Sequence, residues 1–134
     1  MTHDSPILAY MVRKEYNAIE YHPYPLGTVQ WVFELYLWLY QKKTKREHPN
    51  VKAAQIRGII ETMPYFEHPD SEVRCSDIDA ENYKPMMEKH FATKYQHGCD
   101  YNINHFFSGD IRSMRFYDSG LYDGRCDESE DLPL

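Results

Sequence analysis

The fold of this chain is decided by residues 28–46, which read TVQWVFELYLWLYQKKTKR. Apolar side chains fill both the odd and the even positions of 29–40, and only Gln30 and Glu34 interrupt them. A run of this length without glycine or proline is too long for a typical strand, so its length favours a helix. Thr28 is suited to the N-cap, and the Lys/Arg-rich end matches the negative pole of a helix dipole. The sequence predicts a helix over 28–46 whose first three turns lie in the core.

Helical patterns also lie on either side of this segment. Residues 7–21 carry apolar side chains three and four positions apart, which is the spacing of one helix face. After a break at 48–50, Asn50 is placed to cap a helix over 51–63. Because short connections favour antiparallel neighbours, we expect this helix to form a hairpin with the helix over 28–46.

The second half of the chain contains three further helical patterns. One covers about 80–96, and Pro85 is expected to disturb its first turns or delay its start. Two shorter helices are predicted over 101–108 and 111–117, each preceded by an aspartate that can act as its N-cap. Residues 71–78 fit either a short strand or a loop.

Together these patterns predict a mainly α-helical fold of roughly four to six helices. A small β-hairpin or strand pair is allowed near 71–78, so an α+β arrangement is the alternative fold class. The length of 134 residues fits one globular domain over residues 1–122. The last residues, 123–134, are acidic and poor in apolar side chains, and we expect a flexible tail there.

Composition narrows the function classes without selecting one. A net charge of −6 disfavours a general nucleic-acid coating protein, but it leaves room for a local basic patch. Three widely spaced cysteines, an odd number, are most simply reduced thiols, so we expect a cytoplasmic, reducing location. The apolar run at 29–40 is far short of the ~20 residues that span a bilayer, so we expect no membrane association.

Histidine and cysteine concentrate between residues 90 and 105, in the spacing H-x6-H-x-C-x5-H. Imidazole and thiolate are suitable zinc ligands, although this spacing matches no established zinc motif. One alternative is therefore a small metal-dependent enzyme with zinc held by His90, His97, Cys99 and His105. Since the sequence has no Gly-x-Ser-x-Gly, phosphate-binding glycine loop or HExxH motif, we assign no catalytic residue and expect no cofactor otherwise.

A second alternative is nucleic-acid binding through residues 91–116. A helix, a turn that contains Gly98 and a second helix would form a helix-turn-helix, and the stretch from Ile103 through Gly109 to Arg112 resembles the recognition-helix end of repressor-type motifs. The turn glycine lies two positions later than that motif places it. The residues that would contact phosphates and bases are Lys42, Lys43, Lys45, Arg46, Asn102, Asn104 and Arg112.

The leading prediction is a protein-interaction module, either an accessory subunit or a regulator. Aromatic residues make up 15% of the chain, and tyrosine and tryptophan are enriched at interfaces. The acidic tail and the missing catalytic motifs favour binding over chemistry. We predict a contact surface that includes Tyr36, Trp38, Tyr83, Tyr95 and Arg115.

Overall fold

The computed structural model describes residues 6–67, 74–96 and 98–120. Within these residues the fold is mainly helical, as predicted, and it includes a two-stranded antiparallel sheet. The acidic segment 123–134 lies outside the described residues. The elements in chain order are α1 (Pro6–Asn17), α2 (Leu26–Thr44), α3 (Ala53–Thr62), β1 (Tyr65–Glu67), β2 (Arg74–Asp77), a 3₁₀ turn (Ala80–Asn82), α4 (Tyr83–Ala92), α5 (Ile103–Phe106) and α6 (Gly109–Asp118).

Helix α2 is the long central helix that the sequence predicts, but its caps differ. It begins at Leu26, and the N-cap is Pro25, whose φ of −63° and ψ of 157° are extended. Thr28 therefore lies inside the first turn and is not the cap. At the other end Lys45 adopts a left-handed conformation with φ of 63°, and its N–H donates to the carbonyl of Gln41. The helix ends at Thr44 because the left-handed conformation of Lys45 turns the backbone away from the helix.

One face of α2 is buried rather than its whole circumference. The buried side chains recur every three or four residues, as a single helix face requires. They are Val29, Val32, Phe33, Tyr36, Leu37 and Tyr40. Trp31 lies off this face and keeps 38% of its surface exposed.

Helix α3 packs against α1, so the expected hairpin of α2 and α3 is wrong. An Arg57 Nε–Glu15 Oε1 ion pair of 3.0 Å joins α1 to α3. The connection between α2 and α3 contains no regular helix or strand, and Val51 within it is buried. Asn50 does not cap α3, because the N-cap position is Lys52, whose N–H donates to Gln55 Oε1 at 3.0 Å.

Two predictions for this part of the chain are confirmed. A strand pair forms near 71–78, and the helix that contains Pro85 starts later than its pattern suggests. β2 pairs antiparallel with β1, and a bulge lies between Phe66 and Glu67. Residues 71–73 are outside the described part of the chain. Pro85 is the third residue of α4, where the helix needs no N–H donor, so the regular helix starts at Tyr83 rather than near 80.

The region from 93 to 108 departs most from its prediction. Helix α4 ends at Ala92 instead of near 96, and residues 93–96 and 98–102 are not helical. Helix α5 is a single turn, capped by the side chain of Asn102, which accepts from the N–H of Asn104 at 3.0 Å. Among the residues that the structure describes, the helix-turn-helix expected over 91–116 is therefore not formed. Its second helix is too short to present a reading face.

A single cluster of buried apolar side chains draws on every helix from α1 to α6. Tyrosines are central to it, and the hydroxyls of three of them donate to backbone carbonyls. Tyr24 donates to Ile78, Tyr36 to Tyr101 and Tyr83 to Met63. These bonds meet the need of a buried phenol for a partner, and they link segments far apart in sequence. Among the described residues no helix combines the length and hydrophobicity needed to span a membrane.

Candidate functional site

Three of the five predicted protein-contact residues lie in the interior. Tyr36 and Tyr83 are fully buried, and Arg115 keeps only 8% of its surface exposed. Burial raises the pKa of Tyr83 to about 12, despite the opposing effect of Arg112. Arg115 donates to Thr93 Oγ1 at 2.6 Å and pairs with Asp118 at 3.1 Å. Buried in this way, these three side chains offer little surface for contact with a partner.

His90 belongs to a closed histidine–tyrosine network formed with Tyr36, Tyr95 and the carbonyl of Tyr101. The Tyr36 hydroxyl donates to that carbonyl at 2.6 Å, so it must accept from His90 Nε2–H, 3.1 Å away. The other ring nitrogen, Nδ1, then accepts from the Tyr95 hydroxyl at 2.6 Å. Burial, reinforced by nearby His105 and Arg115, lowers the pKa of His90 to about 3.

The predicted four-residue metal set is only partly assembled. His90 is not a ligand candidate in this arrangement, because both of its ring nitrogens are engaged by tyrosine hydroxyls. His97 lies outside the described residues. Cys99 and His105 do converge, with Cys99 Sγ 2.7 Å from His105 Nδ1. The carboxylate of Asp100 joins them, and the three ligand atoms lie within 4.8 Å of one another. We call Cys99, Asp100 and His105 the cysteine cluster.

Backbone and side-chain hydrogen bonds fix the chain around the cysteine cluster. Tyr101 has a left-handed φ of 59°, and its N–H donates to Cys99 Sγ at 3.2 Å. The N–H of Asn102 donates to Asp100 Oδ1 at 2.9 Å. From the segment after α2, His48 Nε2 accepts the N–H of Ile103 at 2.8 Å. Three separate bonds thus hold the two ends of the cluster at the start of α5.

The cysteine cluster does not have the electrostatics of an activated nucleophile. Burial raises the pKa of the Cys99 thiol, the bond from the Tyr101 N–H opposes this, and the charge of Asp100 raises it further. A reactive thiolate requires the reverse, a thiol pKa lowered by neighbouring positive charge. The proximity of Cys99 and His105 therefore does not support a Cys–His catalytic pair.

The residues predicted to bind nucleic acid are divided between surface and core. Lys42, Lys43, Lys45 and Arg46 are exposed at the end of α2. Lys42 Nζ lies 4.3 Å from the ring centroid of Trp38, and Lys43 Nζ lies 5.2 Å from that of Tyr101. The predicted role of Arg112 is wrong. This side chain is 3% exposed and donates to the Tyr65 carbonyl and, at 3.1 Å, to Thr62 Oγ1.

Asn102 and Asn104 serve the backbone rather than a reading face. Asn102 Oδ1 accepts both the N–H and the side-chain amide of Asn104, at 3.0 and 2.9 Å. These contacts start the single turn of α5. With Arg112 buried and no reading helix formed, only the basic end of α2 remains of the predicted nucleic-acid surface.

An open groove on the other side of α2 brings aromatic and acidic side chains together. Its volume is about 510 Å³. The Trp31 groove, as we name it, is lined by Thr28, Trp31, Asp79, Ala80 and Glu81. Trp31, Asp79 and Glu81 are all exposed. The groove therefore combines an indole face with two carboxylates, which is an arrangement that attracts cations.

Long-range hydrogen bonds hold the two walls of the Trp31 groove together. The Tyr24 hydroxyl, just before α2, donates to the carbonyl of Ile78, just before Asp79. The Ile78 N–H donates in turn to the Pro64 carbonyl at 2.6 Å. Since Tyr24 and Ile78 are both buried, these bonds attach the segment that carries the carboxylates to the core.

The sequence pattern does not identify the residues that line this groove. Trp31 was assigned to the core, although it lies roughly 140° around the helix from Tyr36 at 100° per residue. That angular offset was a usable signal. No signal in the sequence linked Trp31 to Asp79 and Glu81, because only the tertiary fold brings them together. Asp100, which lies within reach of Cys99 and His105, is not among the predicted ligands because its position indicates a helix cap.

Comparison with protein-family models, with curated proteins and with solved structures gives no match.

Proposed function

We propose that this chain is a protein-interaction module that binds an arginine-bearing segment of a partner protein in the Trp31 groove. The observation that carries the proposal is the exposed indole of Trp31 beside the exposed carboxylates of Asp79 and Glu81. The odd number of cysteines supports a reducing cytoplasmic location for such an accessory or regulatory protein.

Charge and shape both favour a guanidinium as the occupant. A planar cation stacks on the indole face while its N–H groups donate to carboxylates, and arginine does both at once. The net charge of −6 assists the approach of a basic partner. An anionic ligand is disfavoured, because Asp79 and Glu81 would repel it.

The groove also has the rigidity that recognition requires. Trp31 lies on α2, and the Tyr24–Ile78 hydrogen bond ties the acidic wall to the segment just before that helix. A prearranged site avoids part of the ordering cost of association. We therefore expect binding without rearrangement of the backbone around the groove.

The proposal is tested with a short Gly/Ser peptide that carries two adjacent arginines, added to full-length protein. A W38F background makes Trp31 the sole tryptophan and its fluorescence the signal. We expect a saturable change with the arginine peptide and none with the same peptide containing neutral citrulline. A lysine peptide should bind more weakly, because an ammonium ion cannot stack.

Matched variants locate the binding. The double variant D79N/E81Q should weaken binding about tenfold, while E20Q/E47Q removes the same charge elsewhere and should leave binding nearly unchanged. Trp31→Ala, followed by calorimetry, should cost about fivefold, consistent with ~1 kcal/mol for a cation–π contact. Equal weakening by both charge pairs, or no saturable signal, would refute the proposal.

A further inference from the structure

We propose that the cysteine cluster is a zinc site in which Cys99, Asp100 and His105 supply three ligands. This site is independent of the Trp31 groove. Thiolate, carboxylate and imidazole are all established zinc ligands, and here each residue contributes one ligand atom within 4.8 Å of the other two. The mixed sulfur, nitrogen and oxygen set suits zinc better than magnesium or calcium, which prefer oxygen alone.

The distances fit a tetrahedral ion after a small adjustment. Zn–S bonds of ~2.3 Å and Zn–N bonds of ~2.0 Å place sulfur and nitrogen roughly 3.5 Å apart at a tetrahedral angle. Cys99 Sγ and His105 Nδ1 are 2.7 Å apart, so the two side chains must separate by less than about 1 Å. Both side chains are only half-buried, and rotation about their side-chain bonds suffices for such a movement.

Neighbouring groups already orient the proposed ligands. The Tyr101 N–H points at Cys99 Sγ, a contact that also stabilises a bound thiolate. The Asn102 N–H occupies Asp100 Oδ1 and leaves the other carboxylate oxygen available. The His105 ring packs near Tyr95, with 5.6 Å between the ring centroids. Outer contacts of this kind fix the geometry of ligands in metal sites.

Charge and exposure define the kind of site. One thiolate and one carboxylate neutralise a divalent ion, and the histidine is bound in its neutral form. Asp100 is exposed while Cys99 and His105 are half-buried, so the fourth coordination position faces solvent and is available to water. The proposed ion links Cys99, which precedes α5, to His105, which lies within that helix.

Metal binding is tested on the full chain, stripped with a chelator and then titrated with Zn²⁺ in calorimetry. We expect one zinc ion per chain. C99S and H105Q should each weaken binding at least tenfold, and D100N by less, because a water can replace one oxygen ligand. C75S and E20Q remove a thiol and a carboxylate outside the cluster and should leave binding unchanged.

Cobalt substitution and thiol protection supply readouts that do not require a variant to fold. Co²⁺ added to the wild-type chain should give a thiolate-to-metal charge-transfer absorption. Zinc should protect one thiol from alkylation, and peptide mapping should identify it as Cys99. Protection of Cys75 or Cys126 instead, no zinc uptake, or uptake unaffected by both C99S and H105Q would overturn the assignment.

Discussion

The histidine–tyrosine network and the cysteine cluster lie side by side, yet their polar groups are used in opposite ways. In the network, both nitrogens of His90 and the hydroxyls of Tyr36 and Tyr95 are paired with one another or with backbone. In the cluster, Cys99, Asp100 and His105 direct ligand atoms at one another and retain capacity to bind. A polar cluster that satisfies itself is a structural element, whereas one with spare donor atoms is a candidate binding site.

The largest expected effect comes from opening the closed network with His90→Ala. The ring is fully buried among aromatic side chains, and its removal leaves a cavity and two hydroxyls that have lost a partner. We expect a loss of about 3 kcal/mol in the free energy of unfolding, measured by urea denaturation. A change below about 1 kcal/mol would show that the network contributes little to stability.

A smaller effect is expected from acid. Because the folded-state pKa of His90 is lowered to about 3, the unfolded chain binds more protons than the folded chain between that value and about 6.5. Stability is therefore full above pH of about 6.5 and falls as the pH decreases, by about 1 kcal/mol from pH 7 to 5.5 for this one group. Burial also lowers the pKa of His48, which acts in the same direction.

The acid effect is checked by urea unfolding across this pH range and by NMR of the histidine rings. The His90→Ala variant should show a shallower pH dependence than the wild type. In the folded wild type, the His90 ring should remain neutral down to a pH of about 4. A His90 ring that titrates near 6.5 would contradict the network geometry.

The smallest effect is expected in the cysteine cluster, from Cys99→Ser in metal-free protein. This change preserves the size of the side chain, and the half-buried thiol contributes two contacts, with His105 and the Tyr101 N–H. We expect the free energy of unfolding to change by no more than about 0.5 kcal/mol. In excess zinc the wild type should become more stable than C99S, because ligand binding adds to the stability of the folded state.

The sequence was informative where a pattern is local and continuous. The long apolar run at 29–40 identified α2, and Pro85 indicated where regular helix could begin. Helix boundaries were less accurate, since Thr28 has the side chain of an N-cap but α2 begins at Leu26, after Pro25. The extent of helix at 93–108 was overestimated, because the capping residue Asn102 lies two positions after the aspartate that the pattern favoured.

The sequence indicates which residue types form the candidate sites, but it does not indicate which side chains contact one another. His90 and His105 look alike in sequence, and only the contacts separate a histidine held by two tyrosines from one that faces a thiol. Trp31 and the carboxylates at 79 and 81 lie far apart in the chain, so no local pattern could associate them. Tyr36 and Tyr83 were assigned to the surface because tyrosine favours interfaces, although here their hydroxyls find backbone partners in the core.

The Tyr24–Ile78 hydrogen bond has a consequence for how the molecule is made. Its partners are 54 residues apart in the sequence. Tyr24 therefore leaves the ribosome well before Ile78, whose carbonyl fixes the acidic wall of the Trp31 groove. Helix α2 contains only local backbone bonds and can form early, whereas contacts over such separations must first overcome loop-closure entropy. During synthesis, Trp31 is therefore present on a helix before the carboxylates reach it, and the groove is completed late in folding.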